Sequence, residues 1–202
     1  MKSSKGSRFE REICKLLSEW WTKDTATPRD DVFWRSSNSG ARATIRSKRG
    51  KGTAGQDGDI CATDPIGNTL IKLLTLELKR GYSAESVQDF LDSPLGSKPK
   101  KFEQFLQQTI RSYLNSGSFS WALIFKRDRR DPWIWTPQYC YLLLKDVGAF
   151  HPDRAPDSIV HVTHKIRNVP PSESEFIGMP LMAFLHGCDR THFIKLKKEL
   201  AK

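Results

Sequence analysis

Three charged residues near the middle of the chain have the types and the spacing of a hydrolytic site. Glu77 and Lys79 are two positions apart in a strand-like segment, and side chains at this spacing project from the same face of a β-strand. Asp59 begins the preceding predicted strand. A turn through the sequence DPIGN would bring it opposite a residue between 75 and 77.

These residue types together indicate metal chemistry. Two close carboxylates repel each other unless a cation lies between them, and carboxylate oxygens suit Mg²⁺. The ammonium group of Lys79 could hold a nucleophile or offset charge that develops in a transition state. The pattern therefore predicts a site for magnesium-assisted hydrolysis at Asp59, Glu77 and Lys79.

A plainer interpretation is that Glu77 and Lys79 form the solvated end of a strand, because a Glu-X-Lys triplet occurs by chance in many proteins. Three other features favour chemistry. They are the aspartate at the start of the adjacent predicted strand, a basic segment rich in Gly and Ser, and an upstream amphipathic helix that carries Glu10.

The chain carries a large excess of positive charge. Its 202 residues include 33 Lys and Arg against 23 Asp and Glu, which gives a net charge of +10. Such an excess attracts anions and favours nucleic acid as the partner. Membrane binding is disfavoured, because the sequence has no apolar run near the ~20 residues needed to span a bilayer. Without a signal-peptide pattern at the N-terminus, the predicted location is the cytoplasm.

Much of this charge falls in one segment. Residues 32–56 contain no acidic residue but many Gly and Ser residues, as in a flexible loop that follows a phosphate backbone. The predicted DNA contacts from this segment are Arg35, Arg42, Arg46, Lys48, Arg49 and Lys51. The 6 tryptophans of the chain could stack on unpaired bases, but we expect most of them in the core or at a subunit contact.

Hydrophobic periodicity predicts an α/β protein. Helical spacing of apolar residues predicts helices at 7–21 and 101–115. Strands are predicted at 32–36, 59–63, 70–79, 120–127 and 132–144. Pro137 predicts a sheet-edge position for the last of these strands. Residues 1–145 are predicted to form the core, and residues 146–202 an elaboration of the same domain with an unknown role.

Several segments resemble the PD-(D/E)XK nuclease superfamily, and within it the archaeal-type Holliday junction resolvases and related phage nucleases. The resemblance runs from residue 5 to about 125. It rests on the segments KGSRFEREI, RSSNSG, GDI, ELK and FEQFLQQ. It implies a restriction-endonuclease-like core, a mixed β-sheet flanked by helices in the order α-β-β-β-α-β, and metal-dependent hydrolysis of phosphodiester bonds.

The resemblance also implies roles for individual residues. Glu10 joins Asp59 and Glu77 as a metal ligand, Lys79 lies beside the nucleophile, and Ser39 lies near the scissile phosphate. The implied cofactor is Mg²⁺, with Mn²⁺ as a substitute. The implied partner is branched or junction DNA. A homodimer is expected because symmetric cutting of two strands needs two sites, and the aromatic PWIW segment is the predicted contact.

Two alternatives remain open. The segment 41–56 is longer than the link common in resolvases, and the C-terminal third has no recognised counterpart. A site-specific restriction or homing endonuclease would use these parts to read base edges in the major groove. A non-catalytic DNA-binding protein on the same fold is the other alternative, although none of the acids or the lysine is missing.

Overall fold

The computed structural model describes residues 5–36, 57–94 and 97–202. The helices are α1 (Lys5–Trp21), α2 (Asn68–Leu73), α3 (Val87–Leu91), α4 (Lys101–Ser116), α5 (Gln138–Asp146), α6 (Leu181–Gly187) and α7 (Arg190–Glu199). The strands are β1 (Phe33–Arg35), β2 (Ile60–Ala62), β3 (Leu74–Arg80), β4 (Ser120–Lys126), β5 (Trp133–Pro137), β6 (Val160–Thr163) and β7 (Glu175–Pro180).

The described residues form a mixed sheet of five strands in the order β3-β4-β5-β7-β6. Strands β3 and β4 run parallel, and the crossover between them contains α3 and α4. The other neighbouring strands run antiparallel. A separate antiparallel pair, β1 and β2, places Arg35 opposite Ile60. The mixed sheet flanked by helices confirms the predicted fold class.

Alternation along the strands gives each face of the sheet its own apolar core. On one face, Leu76 and Leu78 pack in a cluster with α1 and the C-terminal helices. On the other face, Leu123 and Phe125 pack in a cluster with α4. Parallel pairing sets Glu77 opposite Leu123 on β4. Glu77 therefore belongs to the α4 face, where helix side chains can reach it.

The C-terminal residues add to the same sheet. Strands β6 and β7 pair with each other, and β7 also pairs with β5. The indole Nε1 of Trp20 in α1 donates hydrogen bonds to the carbonyls of Leu185 and Cys188. Within the described ranges, no helix is long and apolar enough to cross a bilayer. The division of the chain into a core at 1–145 and an elaboration at 146–202 stays a prediction.

Two of the predicted strands are partly helical. In the predicted strand 70–79, the first residues belong to α2, and β3 begins only at Leu74. In the predicted strand 132–144, β5 ends at Pro137 and α5 follows at once. Short leucine-rich runs suit a buried helix as well as a buried strand, so periodicity alone could not separate the two.

The predicted edge position of the PWIW strand is wrong. Strand β5 lies between β4 and β7, and Trp135 is buried. Proline is tolerated because β5 pairs with β4 only from Trp133 to Trp135, so Pro137 lies beyond that ladder. The predicted dimer contact at this strand therefore loses its basis.

A buried ion pair connects α4 to the segment after β6. Glu103 is fully buried. Its Oε2 lies 3.3 Å from Nη2 of Arg167, and its Oε1 accepts a hydrogen bond from the backbone N–H of Arg167 at 2.9 Å. The pair fixes α4 against the far edge of the sheet.

We expect Glu103→Ala to lower the free energy of unfolding by about 3–5 kcal/mol, because it leaves the Arg167 charge buried without its carboxylate. Urea denaturation followed by circular dichroism measures this change. Glu199→Ala, at an exposed position of α7, is the control and should change stability by less than about 0.5 kcal/mol. Equal stabilities of the two variants would contradict the role given to Glu103.

Candidate active site

The residues just before β2 lie against the outer edge of β3. The backbone N–H of Asp59 donates to the carbonyl of Leu76 at 2.8 Å. The Asp59 carboxylate accepts from the backbone N–H of Leu78, also at 2.8 Å. The predicted proximity of Asp59 to this part of β3 is thus observed, although α2 replaces part of the simple turn.

Gly58 makes this close approach possible. Its φ of +95° lies in the region that favours glycine. A Cβ at this position would lie 2.8 Å from the carbonyl oxygen of Leu76. The sequence GDI therefore supplies both the glycine that allows contact with β3 and the aspartate that uses it.

Glu77 is held from two elements. Its Oε2 accepts hydrogen bonds from Nζ of Lys79 at 3.0 Å and from Nε2 of Gln108 at 3.2 Å. Its Oε1 accepts from Oγ of Ser112 at 2.9 Å. Gln108 and Ser112 are four positions apart on α4 and therefore share one face of the helix. Sequence reasoning did not name either residue; this i, i+4 polar pair beside an apolar stripe is the signal that could have identified them.

Lys79 lies between the two acids. Its Nζ is 3.0 Å from Oε2 of Glu77 and 3.9 Å from Oδ2 of Asp59, and 16% of its side chain is exposed. Burial acts to lower the pKa of Lys79, but the negative charges of Glu77, Asp59 and Glu10 outweigh it and raise the pKa. The side chain therefore stays a cation.

The pKa of Asp59 is shifted strongly by its surroundings. Burial first, and then the negative charge of Glu77, raise the pKa of Asp59 from its ordinary 3.8 to about 8. The charge of Lys79 and the Leu78 N–H act in the opposite direction. A second negative charge is thus unfavourable here without another cation, and a pair of carboxylates is a donor set that fits Mg²⁺.

Glu10, the third predicted metal ligand, is engaged elsewhere. Its carboxylate accepts a hydrogen bond from Nε of Arg35, and Nη1 of Arg35 donates to Oγ of Ser7 at 3.1 Å. In the ranges 5–36, 57–94 and 97–202, no three His, Cys, Asp or Glu side chains are grouped to hold a metal ion. The structure thus brings Asp59, Glu77 and Lys79 together and leaves Glu10 on the neighbouring helix, paired with a predicted DNA contact.

Asp59, Glu77 and Lys79 thus form an acidic pair and a lysine at the edge of β3, although β2 pairs with β1 and not with β3. A family described as "phage putative PDDEXK endonuclease" matches residues 1–168. The chain belongs to this family. Its membership confirms the resemblance to the PD-(D/E)XK superfamily and to phage nucleases. No curated protein and no solved structure gives a significant match.

Most of the DNA contacts predicted for this phage PD-(D/E)XK protein lie outside the described residues. These are Ser39, Arg42, Arg46, Lys48, Arg49 and Lys51. The flanking residues are described and meet beside the site. The backbone N–H of Ser36 donates to the carbonyl of Asp59 at 2.9 Å, and its Oγ donates to the carbonyl of Gly58 at 2.6 Å. The described residues on both sides of the segment 37–56 therefore lie next to Asp59.

The stability of this PD-(D/E)XK protein without metal should depend on pH through Asp59. A pKa raised to about 8 means that the folded state binds the proton more tightly than the unfolded chain. This contribution is fully present below about pH 4 and is lost as the pH rises through about 8. We expect the free energy of unfolding in EDTA to fall between about pH 5 and 8, and Asp59→Asn to remove most of this fall. Urea denaturation at several pH values measures it.

The control for the pH series is Asp157→Asn, which changes an exposed carboxylate that belongs to neither β3 nor α4. It should keep the wild-type slope. A wild-type slope in the Asp59→Asn protein would show that Asp59 is not the group responsible.

Proposed function

We propose that this protein is a divalent-metal-dependent DNA endonuclease that cleaves phosphodiester bonds at Asp59, Glu77 and Lys79. One observation carries the proposal, namely the buried contact of the Lys79 ammonium with both carboxylates, at 3.0 Å and 3.9 Å. Ionised groups are rarely buried without a compensating partner or a function. Membership of a phage endonuclease family supports the same assignment.

The cation in this proposal is Mg²⁺, with Mn²⁺ as a substitute. Mg²⁺ is commonly bound through one or two carboxylates, with water and substrate phosphate completing its shell, so Asp59 and Glu77 would suffice to hold it. Glu10 would join them if its carboxylate released Arg35 and bound the cation instead. When bound, the ion would polarise a phosphoryl oxygen and neutralise charge that develops on the phosphate.

The chain's own residues provide positioning and charge. Gln108 and Ser112 fix the Glu77 carboxylate through hydrogen bonds to its two oxygens. The Leu78 N–H fixes Asp59. Lys79 remains cationic, so its ammonium can donate a hydrogen bond to the attacking water and offset charge on the phosphate. This division of roles makes Lys79 necessary for the reaction but not for holding the ion.

The proposed substrate is DNA, and branched or junction DNA in particular. The net charge of +10 and the attachment of the basic segment beside Asp59 support DNA. The resemblance to junction resolvases supports the branched form. A homodimer belongs to the proposal because symmetric cutting of two strands needs two sites. The proposed place of action is the cytoplasm of an infected bacterial cell, where phage DNA is processed.

The test compares four labelled DNAs of matched sequence: a four-way junction, a flap, a single strand and a linear duplex. We expect cleavage in Mg²⁺ or Mn²⁺, with the junction cut fastest, and no cleavage in EDTA or Ca²⁺. Binding without cleavage in every metal would instead indicate a non-catalytic DNA-binding protein. Cleavage confined to one duplex sequence would indicate a site-specific endonuclease.

A further inference from the structure

A second concave site lies on the α4 face of the sheet, the face that carries Glu77 and Lys79. It is a cavity of about 350 Å³, which is near the lower end of the ~300–1,000 Å³ typical of small-molecule sites. Its aromatic wall and basic opening are formed by Phe102, Phe125, Trp133, Trp135, Arg127 and Arg130. The residues argued above for the nuclease site do not line it.

The aromatic wall is built from rings that pack on one another. The rings of Trp133 and Trp135 are stacked, with centroids 5.8 Å apart and an interplanar angle of 26°. The ring of Phe102 meets Trp135 edge-on at 5.1 Å. On the side of β7, a Cβ at Gly178 would lie 2.3 Å from the Trp135 ring, so the ring lies directly on the strand backbone. These contacts support the half-buried ring of Trp133 from the side of Trp135.

The cavity is lined by charged as well as aromatic side chains. Trp135 is only 5% exposed, so the half-buried Trp133 provides the accessible ring of the wall. Arg127 and Arg130 line the cavity with Asp131, so two positive charges face one negative charge. The cavity thus combines a stacking surface with a net positive opening.

The cavity lies close to the nuclease site. Lys79 on β3 is opposite Phe125 on β4, and Phe125 is opposite Trp133 on β5. With strands about 4.8 Å apart, Trp133 is two strands, or roughly 10 Å, from Lys79 across the sheet. A DNA strand covers this distance in about three nucleotides at ~3.4 Å per nucleotide.

We propose that the cavity binds one unpaired nucleotide of the DNA that is cut at Lys79. The base stacks on Trp133, whose ring packs on Trp135, and Arg127 and Arg130 hold the adjacent phosphates. Stacking tolerates any base, so this contact selects unpaired nucleotides without selecting sequence. The chemistry of the cavity suits a free nucleotide as well as a nucleotide of a DNA strand. Only the assignment to the DNA that is cut at Lys79 rests on the proposed function.

The test measures binding and not cleavage. Affinities of the wild-type protein in EDTA are compared for a single strand, for the same strand with abasic sites at every position, and for a duplex, while 2-aminopurine in the intact strand reports stacking of the base. Trp133→Leu keeps an apolar side chain at a half-buried position and should weaken single-strand binding about tenfold or more. It should also abolish the preference for the intact over the abasic strand while leaving duplex affinity within about twofold.

Arg130→Gln tests the basic opening, and Lys197→Gln is its control. Both remove one positive charge, but Lys197 is exposed on α7, which packs against the opposite face of the sheet. We expect only Arg130→Gln to weaken single-strand binding. Each variant is first compared with the wild type by circular dichroism and thermal unfolding.

Three outcomes would overturn the inference. The first is equal affinity for intact and abasic strands, and the second is an unchanged affinity of the folded Trp133→Leu variant. The third is binding of deoxyadenosine monophosphate as tight as that of the strand, which would assign the cavity to free nucleotides. Binding is measured without metal, so it does not depend on cleavage. If the protein shows base-dependent binding but cuts none of the four DNAs in Mg²⁺ or Mn²⁺, the nuclease proposal fails and the cavity keeps its role in binding an unpaired nucleotide.

Discussion

Lys79→Ala should reduce DNA cleavage by at least about 10²-fold, the cost of removing one positioned group that stabilises transition-state charge. The expected reason is the loss of the ammonium that lies 3.0 Å from Glu77 and 3.9 Å from Asp59. An ammonium is not a metal ligand, so Mn²⁺ binding measured by calorimetry should be largely retained. Single-turnover cleavage of a labelled junction in Mg²⁺ gives the rate.

A structural consequence distinguishes this role from a simple folding defect. Without Lys79, the repulsion between Asp59 and Glu77 has no compensating charge, so the variant should be less stable than wild type in EDTA and should recover stability when Mn²⁺ is added. Lys72→Ala, at an exposed position on α2, is the matched control and should behave as wild type. Cleavage by folded Lys79→Ala at the wild-type rate would refute the assigned role.

Asp59→Asn and Glu77→Gln should each lower cleavage by orders of magnitude through the opposite route, the loss of metal binding. Both replacements keep the size of the side chain and remove its charge. In Asp59→Asn, the amide oxygen of the new side chain would still accept the hydrogen bond from the Leu78 N–H, so the edge of β3 should be preserved. DNA affinity in EDTA should hold or rise, because carboxylate repulsion of phosphate is relieved.

Calorimetric titration with Mn²⁺ and fluorescence anisotropy with labelled DNA separate the two effects. Glu175→Gln, at an exposed position of β7, is the matched control for Glu77→Gln and should leave both measurements unchanged. Ca²⁺ should support DNA binding by the wild type without cleavage, since the larger ion tolerates looser geometry. Wild-type cleavage by Asp59→Asn would remove Asp59 from the site.

The proximity of Asp59, Glu77 and Lys79 was predictable because it depends on local rules. Strand alternation puts Glu77 and Lys79 on one face, and a glycine before Asp59 allows the close approach to β3. The i, i+4 pair of Gln108 and Ser112 follows an equally local rule, but its contact with Glu77 depends on how α4 packs on the sheet.

Other features depend on tertiary structure and could not be predicted from local patterns. The pairing of Glu10 with Arg35 requires α1 and β1 to meet across a gap of 25 residues. The sequence QYCYLLL of α5 fits a helix or a strand, and only the end of β5 at Pro137 decides between them. Trp133 and Trp135 were expected mostly in the core or at a subunit contact, and their cavity depends on the glycine of β7 beside them.

In the proposed site, Asp59 and Glu77 hold one divalent cation beside Lys79. An anomalous difference map from crystals of the wild-type protein soaked in Mn²⁺ would locate that cation. We expect a peak about 2.0–2.2 Å from a carboxylate oxygen of both Asp59 and Glu77, with the Lys79 nitrogen outside the coordination shell. A map without a peak between these two carboxylates, or with Mn²⁺ bound only at other side chains, would contradict it.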